Sequence, residues 1–166
     1  MATFPTITRH LQNEDGSDTP GTSILTLFPQ FLDALEDFVD YETWLDEAYS
    51  WNPAFHDNLR LSEAAQEQML HCQEIILALR PNSPVEKPIK LAVFGIKLAM
   101  LNEDDDRRVR FRDIFRRRRE NLRVKGGSVT DIQANRLLTR ALPLFERFLE
   151  LDMFDPVEAL APPTSG

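Results

Sequence analysis

The sequence predicts an all-α fold, an irregular bundle of about five helices with flexible N- and C-terminal tails. Apolar residues recur at three- and four-residue steps over several long segments of the 166-residue chain. The chain has only six glycines and no alternating runs of Val, Ile and Thr, so the strand signal is nearly absent. We therefore expect one helical domain over residues 23–155, between polar tails at 1–22 and 156–166 that contain glycine or proline.

The first helix is predicted to begin after Thr22 or Ser23 and to run to about Tyr49. Pro29 leaves open a short turn followed by a helix from residue 30. The face opposite the apolar stripe is acidic, and its residues are Asp33, Glu36, Asp37, Asp40, Asp46 and Glu47. Near the end of the helix, Trp44 and Trp51 are expected to cap the core; the alternative is an aromatic contact patch for a partner.

The second helix is predicted from Leu61 or Ser62 to Leu79, with Ser62 as its N-cap. One of its faces carries carboxylates and an imidazole, from Glu63, Glu67, His71 and Glu74. Paired-helix metal sites use a Glu-x-x-His motif, but Gln68 occupies the required glutamate position. We interpret this face as solvated and expect neither a metal site nor a cofactor.

The third helix is predicted to begin at Pro84 or Pro88 and to end near Leu101, and Ser83 with Glu86 fits a capping box. It is apolar almost all round, which predicts a place in the centre of the bundle. Gly95 would allow a neighbouring helix to approach closely. The apolar run is too short to span a bilayer, so we expect no membrane partner.

The fourth helix is arginine-rich and is predicted from near Asn102 to just before Gly126. Ten of the nineteen basic residues lie between Arg107 and Lys125, against two acidic residues, so this stretch carries about +8 while the whole chain carries −8. The apolar stripe calls for an apolar residue at 118 or 119, where the sequence has arginine. The helix is therefore expected to dock weakly, or to contact the core up to Phe115 and again at Leu122.

The fifth helix is predicted to begin at Ser128, which forms a capping box with Asp131. Pro143 should kink it, or split it near Thr139. The pair Asp155 and Pro156 should end it.

Three interpretations of the arginine helix remain open. It binds another protein, it contacts nucleic-acid phosphates, or it is a solvated helix neutralised by the acidic first helix or by a sister subunit. The candidate binding residues are Arg107, Arg108, Arg110, Arg112, Arg116, Arg117, Arg118, Arg119 and Arg123, together with Trp44 and Trp51.

Catalysis is not expected, because the sequence contains no recognisable set of nucleophile, base and orienting group. Cys72 follows His71, but adjacent helical residues point about 100° apart and do not pair easily. A single cysteine fits a reducing compartment, so we expect a cytoplasmic protein. The sequence thus predicts a non-catalytic regulatory or adaptor protein that binds a protein, or a second copy of itself, through the arginine helix or the acidic helix. The alternative is a nucleic-acid-binding regulator that uses Arg107–Lys125.

Overall fold

The computed structural model describes residues 23–47, 51–101 and 105–151, and these ranges contain five α-helices and no strand. The predicted all-α bundle is confirmed, whereas the predicted tails lie outside the described residues. A 3-10 turn, Arg119–Leu122, follows the fourth helix. The helices are α1 (Ile24–Glu47), α2 (Phe55–Ala78), α3 (Glu86–Met100), α4 (Asp105–Arg118) and α5 (Val129–Phe148).

Helices α1 and α2 form an antiparallel pair. Near the start of α1, the backbone N–H of Leu25 donates to the carboxylate of Glu86, which lies beyond the end of α2. Towards the end of α1, Glu42 accepts a hydrogen bond from Ser62 in the early part of α2. Helix α1 is unbroken at Pro29, so a separate turn before residue 30 does not occur.

The predicted start of α2 is wrong, because this helix begins at Phe55, well before Leu61. Ser62 is not an N-cap: it lies inside α2, it is 1% exposed, and its hydroxyl donates to the Glu42 carboxylate. The capping box predicted before α3 is also wrong, since that helix start has no side-chain cap. Buried Glu86 instead accepts N–H groups from Leu25 at 3.2 Å and from Asn82 at 2.6 Å. Ser62 therefore bonds to a neighbouring helix, and Glu86 joins the start of α1 to the loop before α3.

Helix α5 runs beside α1 in the same direction, and aromatic rings from the two helices meet in the core. The ring centroids are 6.4 Å apart for Phe31 and Phe145, and 6.3 Å apart for Phe38 and Phe148. All four rings are at most 2% exposed. Aromatic pairs at these separations add to the stabilisation that burial provides.

The predicted split of α5 near Thr139 is wrong, since the helix continues through Pro143 and ends at Phe148, earlier than predicted. Proline removes one helical hydrogen bond, to the carbonyl four residues before it. Here that carbonyl belongs to Thr139, and both Thr139 and Pro143 are exposed. The affected turn therefore faces solvent, where water can replace the lost donor.

The capping box at the start of α5 is confirmed. The Asp131 N–H donates to the Ser128 hydroxyl at 3.1 Å, and the Ser128 N–H donates to the Asp131 carboxylate at 2.9 Å. A Cβ atom at Gly126 would lie 2.2 Å from Asp131 Oδ2, so any other residue here would displace the carboxylate of the capping box. The Asn135 side chain then joins α5 to the chain after α4, accepting from Val124 N at 2.9 Å and donating to Val124 O at 3.0 Å.

Helix α3 does not lie in the centre of the bundle, although its sequence predicts that position. One face is buried, with Ile89, Val93 and Ile96 at 0% exposure. Leu91 and Phe94 on another face are 58% and 46% exposed. The apolar character of that face is therefore not explained by burial within the described part of the chain.

Candidate interaction surface

Helix α4 docks on the bundle through two phenylalanines. A Cβ atom at Gly95 would lie 3.2 Å from Phe111 Cζ, so α4 approaches α3 closely at the glycine. The Phe115 ring lies 5.7 Å, centroid to centroid, from Phe145 in the core. The next buried apolar residue is Leu122 in the 3-10 turn, at 6% exposure. The prediction that apolar contacts stop at Phe115 and resume at Leu122 is confirmed.

Two of the candidate arginines are paired within the chain. Arg116 Nη2 lies 2.9 Å from Glu150 Oε1, and its Nε lies 3.5 Å from Glu146 Oε1, so this residue attaches α4 to α5. Arg123 Nε lies 3.4 Å from Glu120 Oε2. Arg116 therefore has a structural role, and neither guanidinium is fully available to a partner.

A second group of arginines is exposed and makes no hydrogen bond or ion pair with any part of the chain that the structure describes; these are Arg110, Arg117, Arg118 and Arg119. Exposed apolar side chains lie on the same helix, with Val109 at 47% and Ile114 at 53% exposure. Helix α4 thus presents guanidinium groups and apolar side chains together.

The remaining candidates on α4 differ from this group. Arg107 is exposed but already has an interaction within the protein. Arg112 is half-buried, and its Nε is buried without a hydrogen-bond partner among the described residues. The side chain of Arg108 lies outside the described residues.

The acidic face of α1 is paired with α5. Arg140 binds Asp33 at 2.7 Å and also Glu36, and Arg147 binds Asp40 at 2.5 Å. The hydrogen bond with Glu36, followed by that with Asp33, raises the pKa of the Arg140 guanidinium above its ordinary value. Asp33, Glu36 and Asp40 of α1 therefore neutralise arginines of α5.

An apolar groove lies between α3 and α4 and encloses about 290 Å³. Leu91, Phe94 and Leu98 line one wall, while Ile114 and Arg118 line the other. A shallower cleft of about 560 Å³ lies on the other side of the α3 ridge and shares Leu91 and Phe94 with the groove. It is also lined by Leu77, Pro81, Lys87, Lys90 and Lys97.

This apolar face is not among the candidate sites that the sequence predicts. The signal was present, because the apolar residues of α3 extend around the helix far beyond a single core-facing stripe. That pattern predicts complete burial of the helix. An apolar helix between lysines is equally compatible with a ridge that is buried only when a partner binds.

The two tryptophans do not line this groove. Trp51 is 78% exposed, so the prediction that it caps the core is wrong. Trp44 is half-buried on α1. The candidate surface is thus centred on α3 and α4.

A further cleft of about 550 Å³ lies between the 3-10 turn and α5. Arg119 and Arg123 line it together with Glu120. The carboxylate of Glu120 partly neutralises this cleft and opposes binding of an isolated anion there.

No metal-binding group is found in the described ranges, where no three or more His, Cys, Asp and Glu side chains are suitably placed. No helix in these ranges is both long enough and apolar enough to cross a membrane. Burial raises the pKa of the Cys72 thiol, an effect that a hydrogen bond from Gln68 partly offsets.

Comparison of the chain with protein-family models, curated proteins and solved structures finds no match.

Proposed function

We propose that this protein is a non-catalytic regulatory or adaptor protein that binds another protein through α4 and the adjoining face of α3. The observation that carries the proposal is the combination on α4 of exposed Arg117 and Arg118, neither of which pairs with a described residue, with the exposed side chain of Ile114. Protein interfaces combine an apolar centre with a polar rim, and they are enriched in arginine and in aromatic residues.

The apolar component distinguishes a protein partner from nucleic acid. A duplex or single strand contacted through its phosphates would pair with the arginines but would leave Ile114 and Leu98 exposed to water. A protein surface can cover both kinds of side chain at once. The acidic residues near α4 also favour a protein partner over nucleic acid, since Glu146 and Glu150 repel a phosphate backbone.

The acidic helix has a smaller part in this proposal than the arginine helix. Asp33, Glu36 and Asp40 of α1 already pair with α5, so a partner would have to compete for them. The proposal includes a cytoplasmic location, which rests on the presence of the single cysteine Cys72.

Nucleic-acid binding is the second candidate function, and the consecutive exposed residues Arg117, Arg118 and Arg119 favour it. Three adjacent guanidinium groups can contact several phosphates of one strand. Such binding would weaken steeply as salt is raised, with a slope that reports the number of phosphates contacted.

The test compares affinity purification of the tagged full chain with two matched double variants, each in the presence and absence of nuclease. Arg117→Gln/Arg119→Gln removes two exposed guanidinium groups from α4. Arg60→Gln/Arg136→Gln removes two exposed guanidinium groups from α2 and α5 and produces the same change in net charge. Arg116 is retained in every protein because it attaches α4 to α5.

We expect a protein to be recovered with the wild type and with the α2/α5 variant, to be lost with the α4 variant, and to survive nuclease treatment. In a direct binding assay, that purified protein must then bind the wild type and the α2/α5 variant more tightly than the α4 variant. Recovery that disappears with nuclease, together with salt-sensitive binding of generic RNA or DNA by the purified chain, would replace this proposal with the nucleic-acid function. Equal recovery with both variants would remove the arginine helix from the interaction.

A further inference from the structure

The exposed apolar ridge of α3 has the spacing of a helix-recognition surface. Leu91, Phe94 and Leu98 follow one another at steps of three and four residues, so they lie on one face of the helix. Their exposed fractions are 58%, 46% and 43%, and Leu101 just beyond the helix is 68% exposed. Single exposed leucines are common on protein surfaces, but a contiguous apolar ridge marks a site of contact.

The charged residues that line the groove and the cleft beside this ridge, among the described residues, are all basic. Lys87, Lys90 and Lys97 line the cleft on one side, and Arg118 lines the groove on the other. Neither lining contains an aspartate or a glutamate. In a chain with a net charge of −8, this is a local reversal of sign that coincides with the exposed apolar surface.

The lysines are placed by the fold beside the ridge. Lys90 is half-buried and donates from Nζ to the carbonyl oxygen of Leu79 at 2.5 Å, which holds its aliphatic stem against the end of α2. Lys97 lies seven residues later, two helical turns along the same side of α3. The basic rim therefore follows the ridge along its length.

From this arrangement we propose that the groove between α3 and α4 binds an amphipathic helix of a partner protein, with its apolar face on Leu91, Phe94 and Leu98 and its flanks acidic. This inference rests on the proposed protein-binding function and names the class of partner. An amphipathic helix presents apolar residues at three- and four-residue steps, which match the ridge, and carboxylates at its flanks reach the lysines and Arg118. Complementary charge selects such a helix over a basic one.

The test uses two fluorescently labelled helical peptides that share one Leu/Phe face and differ only in the polar face, which carries glutamate in one peptide and lysine in the other. Binding to the full chain is measured by fluorescence anisotropy at moderate salt. We expect the wild type to bind the glutamate peptide at least about tenfold more tightly than the lysine peptide.

Two pairs of variants locate the binding. Phe94→Ser removes the centre of the ridge, and Leu61→Ser is its control on α2, where Leu61 is 47% exposed. Lys87→Glu/Lys97→Glu cancels the net positive charge of the rim, because Lys90 and Arg118 remain. Arg60→Glu/Arg136→Glu makes the same change in charge elsewhere. Circular dichroism melting confirms that each variant is folded.

We expect Phe94→Ser to weaken binding of the glutamate peptide by about tenfold or more, and Leu61→Ser to leave it unchanged. The rim variant should lose the preference for the glutamate peptide, whereas its control should keep it. Equal affinity of the wild type for both peptides, a full glutamate preference in the rim variant, an unchanged affinity in Phe94→Ser, or no binding to the wild type at about 1 mM would overturn the proposal.

Two other occupants of the groove would give different experimental results. Concentration-dependent dimerisation of the wild type that Phe94→Ser abolishes would assign the groove to a second copy, and sedimentation velocity detects it. Residues 152–166 combine acidic and apolar side chains, so tighter peptide binding by Phe154→Ser would assign the groove to this segment. Either result would overturn the assignment to a partner helix.

The experiments distinguish failure of the proposed helix-binding groove from failure of the proposed protein-binding function. If the partner recovered by affinity purification binds Phe94→Ser and Lys87→Glu/Lys97→Glu as it binds the wild type, but is lost with Arg117→Gln/Arg119→Gln, the groove is overturned and the protein-binding function stands. If no nuclease-resistant protein depends on α4, the proposed function itself fails.

Discussion

Replacing Phe115 by alanine should detach α4 from the bundle while α1 and α2 stay folded. The Phe115 ring is half-buried, with its centroid 5.7 Å from that of Phe145 and 6.3 Å from that of Phe111. Truncating a fully buried phenylalanine costs about 3–5 kcal/mol, so half of that, about 2 kcal/mol, is expected here. The ion pairs of Arg116 are exposed and contribute at most about 1 kcal/mol. The Phe115 contact is therefore a large part of what holds α4 in place.

The assay is hydrogen exchange followed by mass spectrometry, with one proteolytic peptide covering α4 and others covering α1 and α2. A loss of about 2 kcal/mol multiplies the opening constant of α4 by roughly thirty. We expect the α4 amides to lose most of their protection in Phe115→Ala, while α1 and α2 keep theirs. Unchanged protection of α4, or loss of protection in all the helices together, would refute the reasoning that α4 docks as a separate weak unit.

Phe148→Ala is the matched control. Phe148 is fully buried and packs on Phe38 in the α1–α5 core, so its truncation should destabilise the whole bundle by about 3–5 kcal/mol. Exchange should then accelerate in α1 and α5 as well as in α4, in contrast with the local effect of Phe115→Ala.

Four further outcomes follow from contacts at three other sites. Ser62→Ala removes the hydroxyl that donates to Glu42 and should lower the free energy of unfolding by about 1–2 kcal/mol in urea denaturation; an unchanged value would contradict this role. Gly95→Ala should raise the free energy of unfolding by up to about 1 kcal/mol, because alanine has the higher helix propensity. A small displacement of the half-buried Phe111 ring should reduce this gain but not reverse it. Because burial raises the pKa of the Cys72 thiol, Ellman's reagent should react slowly with the native protein at neutral pH and quickly with the unfolded chain. The raised pKa also means that stability from Cys72 is present below the unfolded pKa of about 8.5 and is lost as pH rises further, which urea titrations across that range measure.

Short-range patterns were predictable where the bonded groups are near neighbours in sequence. The Ser128–Asp131 capping box was recognised because both of its hydrogen bonds span three residues. Capping was wrongly predicted at Ser62 and at Glu86, because their hydrogen bonds are long-range. The bond from Ser62 to Glu42 spans 20 residues, and the bond from Leu25 to Glu86 spans 61. A serine before an apolar stripe looks the same in both situations, and only the packing of α1 on α2 decides which bond it makes.

The arginine helix was predictable in its contacts, whereas the surface beside it was not. Arginines at 118 and 119 interrupt the apolar stripe of α4, and this predicted that its core contacts end at Phe115. A helix that contacts the core only at a few residues cannot cover all of its apolar neighbour α3. Hydropathy reports how apolar Leu91 and Phe94 are, but not whether the rest of the chain has enough apolar surface to bury them.

The proposed partner site and the docking of α4 are thermodynamically coupled, because the groove exists only while α4 is docked. Ile114 and Arg118 belong to α4, and the ridge with Phe94 belongs to α3. The apparent dissociation constant is the intrinsic constant divided by the docked fraction, so Phe115→Ala should weaken binding of the glutamate peptide as that fraction falls. Saturating peptide should in turn restore hydrogen-exchange protection to α4 in this variant, since a ligand stabilises the state that binds it. Peptide binding by Phe115→Ala at wild-type affinity, with α4 still unprotected, would show that the ridge of α3 suffices and that the groove is not shared.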